Sequence, residues 1–585
     1  MDLLNPVYTE KAECQDCYKC LRECTVKAIK VEGGRAAVVP ELCVLCGHCV
    51  EVCPVGAKRV RNDLPRAKLL LESGRRVIAS VAPAFASEFS GIAPGKLAGA
   101  LKKLGFWGVS ETARGADLVA RQVARELTVR DEDRGGKFPK VLISSACPTV
   151  VEYVKKYQGA FGSGVTDFHS PLMAHAEELK ALYGNDIAVV FIGPCISKKR
   201  ESDLHRDLVE AVIDFRDLEI WFGEKGILPE IISPADEAAF IPERAGKGAL
   251  YPMDGGMIAA VKRYSIPPGV RYMAFSGIGE IDRALKELSE TELDAPVFLE
   301  LLACAGGCIN GPRVRSRTGT IRKRLSVFSY AEDAPEIYTG PSPDISNTWY
   351  MKPIRETEPS AEEIAGALRR TGKYSREDEL NCGGCGYDTC RDFARAMVSG
   401  KAEQEMCVSY MRKLAQKKAN GLIRAIPSGV VIVDKDLRIV ECNRNFVKLI
   451  GGDAEELWEA KPGLEGAELD KMVPFHRYFR DVLNGAPALD KDIKLDRRIF
   501  HATIFGIERG EFAGGVFQDV TAPWVRKDRV VSQARKVISK NLAVVQKIAF
   551  LLGENAAETE ATLSSIIESF DDSGKADQES GDSRR

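Results

Sequence analysis

Residues 296–313 read PVFLELLACAGGCINGPR. The apolar run Val297–Leu302, broken only by Glu300, reads as a strand, and it leads directly into Cys304-x3-Cys308. Working outward, the same device recurs. KVLISSACP (140–148) runs into Cys147, AVVFIGPC (188–195) runs into Cys195, and RVIASVAPA (76–84) ends in a Pro-containing loop. Helical stretches separate these runs. Such alternation predicts an α/β region of two or more βα units from about 63 to 345. Three of the strands end at a cysteine, and the C-terminal ends of strands are where open α/β sheets build their sites.

The chain has 585 residues and 17 cysteines, and 16 of these fall into four groups of four. Cys147, Cys195, Cys304 and Cys308 form one group. Near the N-terminus, Cys14, Cys17, Cys20 and Cys53 interleave with Cys24, Cys43, Cys46 and Cys49. Cys382, Cys385, Cys390 and Cys407 form the fourth, and Cys442 is left over. Thiolates are the soft ligands of iron–sulfur clusters, four to a cubane, so the arithmetic points to electron transfer. The two N-terminal runs, each C-x2-C-x2-C-x3-C, have the bacterial two-cluster spacing in which the fourth cysteine of one run serves the other cluster. Thr25 stands where a proline commonly follows. Between the runs, Ile29 and Val31, then Ala37 and Val39, alternate around Gly33-Gly34 as a small hairpin. Zinc is the alternative occupant for this module and for the fourth group.

Composition narrows the class. Hydrophobic content of 45% with 28% charged residues is that of a globular chain, and its length suggests roughly three to five domains. A formal net charge of −2 offers no basic field to nucleic acid or an anionic membrane. No apolar run reaches the roughly 18–20 residues of a membrane span. The N-terminus lacks an apolar signal core and a twin-arginine pair, so a cytoplasmic location is expected, where clustered cysteines read as metal ligands.

Three segments carry a sharper resemblance: Ser144-Ser145-Ala146-Cys147-Pro148, Pro194-Cys195-Ile196-Ser197-Lys198-Lys199-Arg200-Glu201, and Glu300 through Cys308. They resemble the signature motifs of [FeFe]-hydrogenases over residues 1 to about 330. The resemblance implies an H-cluster, a four-iron cubane on the four cysteines joined to a two-iron subcluster with CO, cyanide and a dithiolate amine. Cys308 would be the bridging thiolate, with Lys198 hydrogen-bonded to one cyanide and Glu201 kept from the second motif. Ala82 and Pro83 match the loop beside the other cyanide, and Ser145 and Pro194 flank ligands. Several positions depart from the family. Ala146 stands where its proton-relay cysteine belongs, and a methyl group can neither donate nor accept a proton. Gly193 and Leu302 replace methionines, Gln122 and Val123 replace glutamates of the proton path while Glu126 is kept, and Gly311-Pro312-Arg313 follows Cys308. These departures imply slow turnover.

Beyond a Pro-rich boundary near 340–353, Cys382-x2-Cys385-x4-Cys390-x16-Cys407 resembles the small four-iron domain of electron-transfer subunits and corrinoid proteins. Residues 413–523 look like a PAS domain, from Gly429–Asp434 and Asn443 to Gln518-Asp519-Val520-Thr521, with Cys442 read as core and His476 and His501 as ordinary surface or core histidines. From Trp524 to Phe570 apolar residues recur three and four apart as an amphipathic helix or helix pair, with Gly553 as its break. The expected architecture is therefore multidomain, α/β and α+β. It comprises a two-cluster ferredoxin domain (1–62), a hydrogenase-like core (63–345), a four-iron domain (346–412), a PAS domain (413–523), a signalling or dimer helix (524–570) and a disordered tail (571–585). The combination resembles sensory [FeFe]-hydrogenases. It implies slow H2 oxidation, with H2 and protons as partners, a homodimer, and a signal passed to a downstream kinase or phosphatase. Two alternatives stay open: a metabolic hydrogenase donating to ferredoxin, and a cluster protein without the two-iron unit.

Overall fold

The computed structural model describes residues 5–128 and 140–521, apart from 265, 267, 316, 317, 336, 339, 341, 356, 496 and 497, together with 536–541 and 544. The tail and nearly all of the 524–570 segment lie outside these residues. By compactness the chain divides into two units, Met1–Arg412 and Lys413–Arg585.

In the first unit, the N-terminal hairpin pairs Ile29–Glu32 with Arg35–Val38, and Val7–Thr9 pairs antiparallel with Lys58–Val60. The α/β region builds two separate parallel sheets rather than one. The first runs Gly108–Glu111, Val77–Val81, Ala188–Ile192, Ala211–Ile213, and the second Arg271–Ser276, Val297–Leu302, Val141–Ile143. Val77–Val81, Ala188–Ile192 and Val297–Leu302 are buried at every position, because helices cover both faces of a parallel sheet. Glu300, the one charge in these three runs, is buried with them. The cysteines lie in the turns just past strand ends of both sheets: Cys147 precedes the helix Pro148–Tyr157, and Cys195 lies just before Ser197–Leu204.

Two helices near the end of this unit, Ala361–Arg370 and Cys390–Val398, start at side-chain caps. Ser360 and Glu363 form a capping box on the first, and Thr389 accepts from the Asp392 amide on the second. They pack through Ile364, Ala367, Leu368 and Ala394. This piece is fused to the N-terminal module by a shared core of Leu21, Ile29, Val31, Tyr387, Phe393 and Met406.

The second unit carries a five-stranded antiparallel sheet in the order Ile439–Cys442, Gly429–Asp434, Phe512–Asp519, Arg498–Glu508, Leu489–Leu495. Alternate residues Phe500, Ala502 and Ile504 are buried, while Ile499, His501, Thr503 and Phe505 point the other way, the two-residue period of a strand covered on one face. Asn443 caps Arg444–Ile450, accepting from the Phe446 amide, and donates to the carbonyls of Ile423 and Ser428. Cys442 is buried core, its thiol directed at the Gly463 carbonyl.

Candidate metal centres

The middle group converges. Cys147, Cys195, Cys304 and Cys308 line one hollow, with an empty volume of ≈ 350 Å3, together with Pro194, Ile196, Ala303 and Pro312. Among the described residues no three His, Cys, Asp or Glu side chains sit at the spacing of a single metal ion. The donor set is four soft thiols around a space, which fits a cubane. Burial pushes the Cys195 thiol up to about 11 and those of Cys304 and Cys308 higher, with the neighbouring sulfurs adding repulsion. Without metal these thiols hold their protons, so loading a cluster releases them.

Lys198 lies beside this hollow, buried, with Nζ 2.7 Å from Ser170 Oγ and 2.8 Å from Glu201 Oε2. Its charge acts on Cys195 and Cys308. A lysine clamped by two acceptors keeps one geometry, as an oriented donor next to a metal group requires. Ser145 is locked through Thr166, whose Oγ1 accepts from its amide and donates to its Oγ. The Ala146 amide donates to Ser144 Oγ, which itself meets Met257 Sδ. Below the Ala82-Pro83 loop, buried His175 bridges Ser80 and Ser110, and burial lowers it to about 3, so it stays neutral. Gly193 is explained by space. A Cβ there would stand 2.6 Å from both Ala82 Cβ and the Phe191 ring, so these two groups occupy the volume a side chain would need.

In the N-terminal module Cys20 faces Cys14, Cys17 and Cys53, whereas Cys49 faces Cys46, Cys43 and Cys24. Burial raises Cys43 to about 11 and Cys46 to about 12. The second set abuts the middle site. Cys46 and Leu45 line the same hollow as Cys304, and Lys156 and Tyr157 donate to the carbonyls of Cys43 and Leu42. Gly47, at φ +80°, makes this approach possible. A Cβ there would lie 2.6 Å from Ile196 Cδ1 and from the Pro312 ring.

Cys382, Cys385, Cys390 and Cys407 line a second hollow of ≈ 330 Å3. Cys407 differs from the other thiols. Burial pushes it up, but hydrogen bonds from Ser409, the Tyr410 amide and Lys373 outweigh that and hold it below the ordinary thiol value. Lys27 donates to the Gly386 carbonyl, and the amides of Gly33 and Gly34 donate to Glu403, tying this site to the N-terminal module.

The structure leaves the residues of the expected proton path apart in character. Val123 is fully buried, while Gln122 is half-buried and accepts from Arg125. Sequence reasoning missed Lys58 and Lys373, which act on Cys20 and Cys407, and Ser170, Thr166 and His175, which hold Lys198, Ser145 and Ser80, because no spacing ties any of them to these partners.

Residues 75–312 match the family described as iron only hydrogenase large subunit, C-terminal domain. Residues 36–59 match a 4Fe-4S binding domain and 378–409 an Fe-S cluster family. Iron hydrogenase 1 of Clostridium pasteurianum is 25% identical over 297 residues, 43% of this chain and 51% of its own. The NADP-reducing hydrogenase subunit HndD of Solidesulfovibrio fructosivorans is 27% identical over 414 residues, 57% of this chain and 69% of its own. This chain thus spans about half the length of the first relative. A variant of the [FeFe]-hydrogenase HydA1 from Chlamydomonas reinhardtii aligns with 46% of this chain and 88% of its own at 21% identity and a TM-score of 0.39. Among the described residues no helix is long and apolar enough to cross a membrane. Residues 75–312 are thus similar to the iron only hydrogenase large subunit, and matches to iron–sulfur families lie on either side of that segment.

Proposed function

We propose that this chain is a sensory [FeFe]-hydrogenase: it oxidises H2 slowly at the 147–308 site and reports the resulting redox state through its clusters and a PAS domain. The observation that carries the reading is Ala146 beside Cys147, a relay position emptied of its proton carrier within a thiol set that is otherwise kept. A cubane on the four cysteines and a two-iron unit on Cys308 would, when bound, supply the site at which H2 is split. The chain's own residues do the rest. Lys198, fixed by Ser170 and Glu201, presents a charged donor at Cys308, where it would orient a cyanide. Burial raises the Glu300 carboxyl to about 7, so it gains and loses a proton near neutral pH; among the described residues its Oε1 has no partner, and the buried Tyr251 hydroxyl has none either. These groups offer a slow substitute for a dedicated relay. Contact across Gly47 supports transfer from the middle site to the 24–49 cluster.

The sensory half rests on different support. A five-stranded antiparallel sheet with Asn443 at a helix cap suits a PAS domain, and such a domain has no use in a metabolic enzyme. The reading includes a homodimer and a partner kinase or phosphatase that receives the signal. Free thiols gathered into clusters suit the cytoplasm. Infrared spectroscopy of the matured protein under H2 and under argon tests the proposal. CO and cyanide bands that shift with gas, together with slow turnover, are expected. Absent bands would leave a cluster protein without hydrogen chemistry, and bands with rapid turnover would mark a metabolic hydrogenase.

A further inference from the structure

The cluster sites do not share the same charge environment. Lys373 is buried, and its Nζ lies 3.1 Å from Cys407 Sγ, 3.2 Å from Thr371 Oγ1 and 3.4 Å from the Thr371 carbonyl. Among the described residues these are its only side-chain partners, and no carboxylate neutralises it. Lys198, by contrast, is cancelled by Glu201. Lys27 reaches the carbonyl of Gly386 next to Cys385 but is shared, since it also acts on Cys24, so Lys373 is the cation that sets this site apart.

The neighbouring 14–53 site is surrounded differently. Asp16 sits between ligands Cys14 and Cys17, bonded to Tyr18, with one buried oxygen unpartnered, and Glu403 adds its charge from across the shared core. Lys58 acts there too, but it donates to Thr9 and the Ala36 carbonyl rather than to a thiol, and it is shared with the 24–49 set. Reduction adds one negative charge to a cluster. A desolvated cation hydrogen-bonded to a ligand sulfur favours the reduced state, and a nearby carboxylate opposes it. Cys14, Cys20, Cys385 and Cys407 belong to one packed core, so the two centres are neighbours.

We propose that Lys373 is a positioning residue that raises the reduction potential of the 382–407 centre above that of the 14–53 and 24–49 clusters. An electron that enters the relay clusters then comes to rest at 382–407. The transfer between relay centres is balanced: the donor cluster loses one electron, the acceptor gains it, and no proton or outside oxidant takes part. The inference rests on the reading that these four thiols hold a cluster, and it is independent of hydrogen chemistry.

The test is a potentiometric titration with redox mediators, followed by electron paramagnetic resonance, on the anaerobic full-length chain. Removing Cys382 and Cys385 together (both to Ala) should lower iron per chain and delete the relay signal that appears first on reduction. Lys373→Met should shift that signal down by at least tenfold in its reduction constant, ~59 mV for one electron, with iron content kept, and Lys373→Arg should restore it. An unchanged midpoint in loaded Lys373→Met overturns the inference. If Lys373→Met fails to load, the order in the unsubstituted chain decides: deletion of any signal but the first overturns it. Iron content unaffected by loss of Cys382 and Cys385 would overturn the cluster reading itself, and the role of Lys373 with it.

Discussion

Ala146 is half-buried, with its backbone held by Ser144 and its side chain packed at the edge of a buried cluster that includes Leu142, Tyr251 and Met257. A cysteine at this position would add the one sulfur that the proposed relay lacks. Ala146→Cys should raise H2 oxidation on the order of tenfold or more, the low end of what a positioned acid–base group contributes; unchanged turnover in an anaerobic gas-uptake assay would refute the relay argument. Glu300 gives a pH-dependent prediction. Burial raises its carboxyl from 4.5 to about 7, while the amides of Ile258, Met257 and Gly255 partly offset this. Between those values the unfolded chain loses the proton that the folded chain keeps, so stability falls as pH rises from about 4.5 to about 7. The full cost above that range is on the order of 3 kcal/mol. Glu300→Gln should flatten this part of the unfolding-midpoint profile, and an unchanged slope would contradict it. Glu111 and Asp117, both also raised to about 7 by burial, shape the profile in the same direction.

At the scale of elements, the contact that matters is the loop Cys43–Cys49 against the turn after Cys195. Gly47 supplies both a left-handed backbone and the absence of a Cβ where Ile196 and Pro312 press in. Gly47→Ala should cost about 1–2 kcal/mol from the backbone alone and should also push the loop outward. The expected result is a lower unfolding midpoint and slower reduction of the N-terminal clusters by H2 in stopped-flow absorption. Wild-type kinetics in this variant would show that electrons leave by another route. The spacing of the two N-terminal runs led to the expected division of their cysteines between two centres, since short loops allow few alternatives. The contact between that module and the middle site was not legible, because Gly47, Ile196 and Pro312 are 100 residues or more apart and none has a characteristic motif.

At the scale of the molecule, three expected modules form one compact unit through residue 412, and the rest of the chain forms another. Sensing requires that the second unit populate two states whose balance depends on the redox state of the first. Hydrogen–deuterium exchange across residues 429–519 of the intact protein should therefore differ between H2-reduced and oxidised samples. Identical protection in both would remove the sensory reading while leaving the hydrogenase reading intact.

The sequence alone determined how the cysteines group and which apolar runs lead into them, because residue spacing and apolar runs are local properties. Only the tertiary structure decided that the α/β strands split into two sheets, that the last cluster site packs on the first, and that Lys58, Lys198 and Lys373 lie in different charge surroundings. Each of those depends on residues far apart in the chain meeting in a low-dielectric interior, where the presence or absence of a single carboxylate partner decides what a buried lysine does.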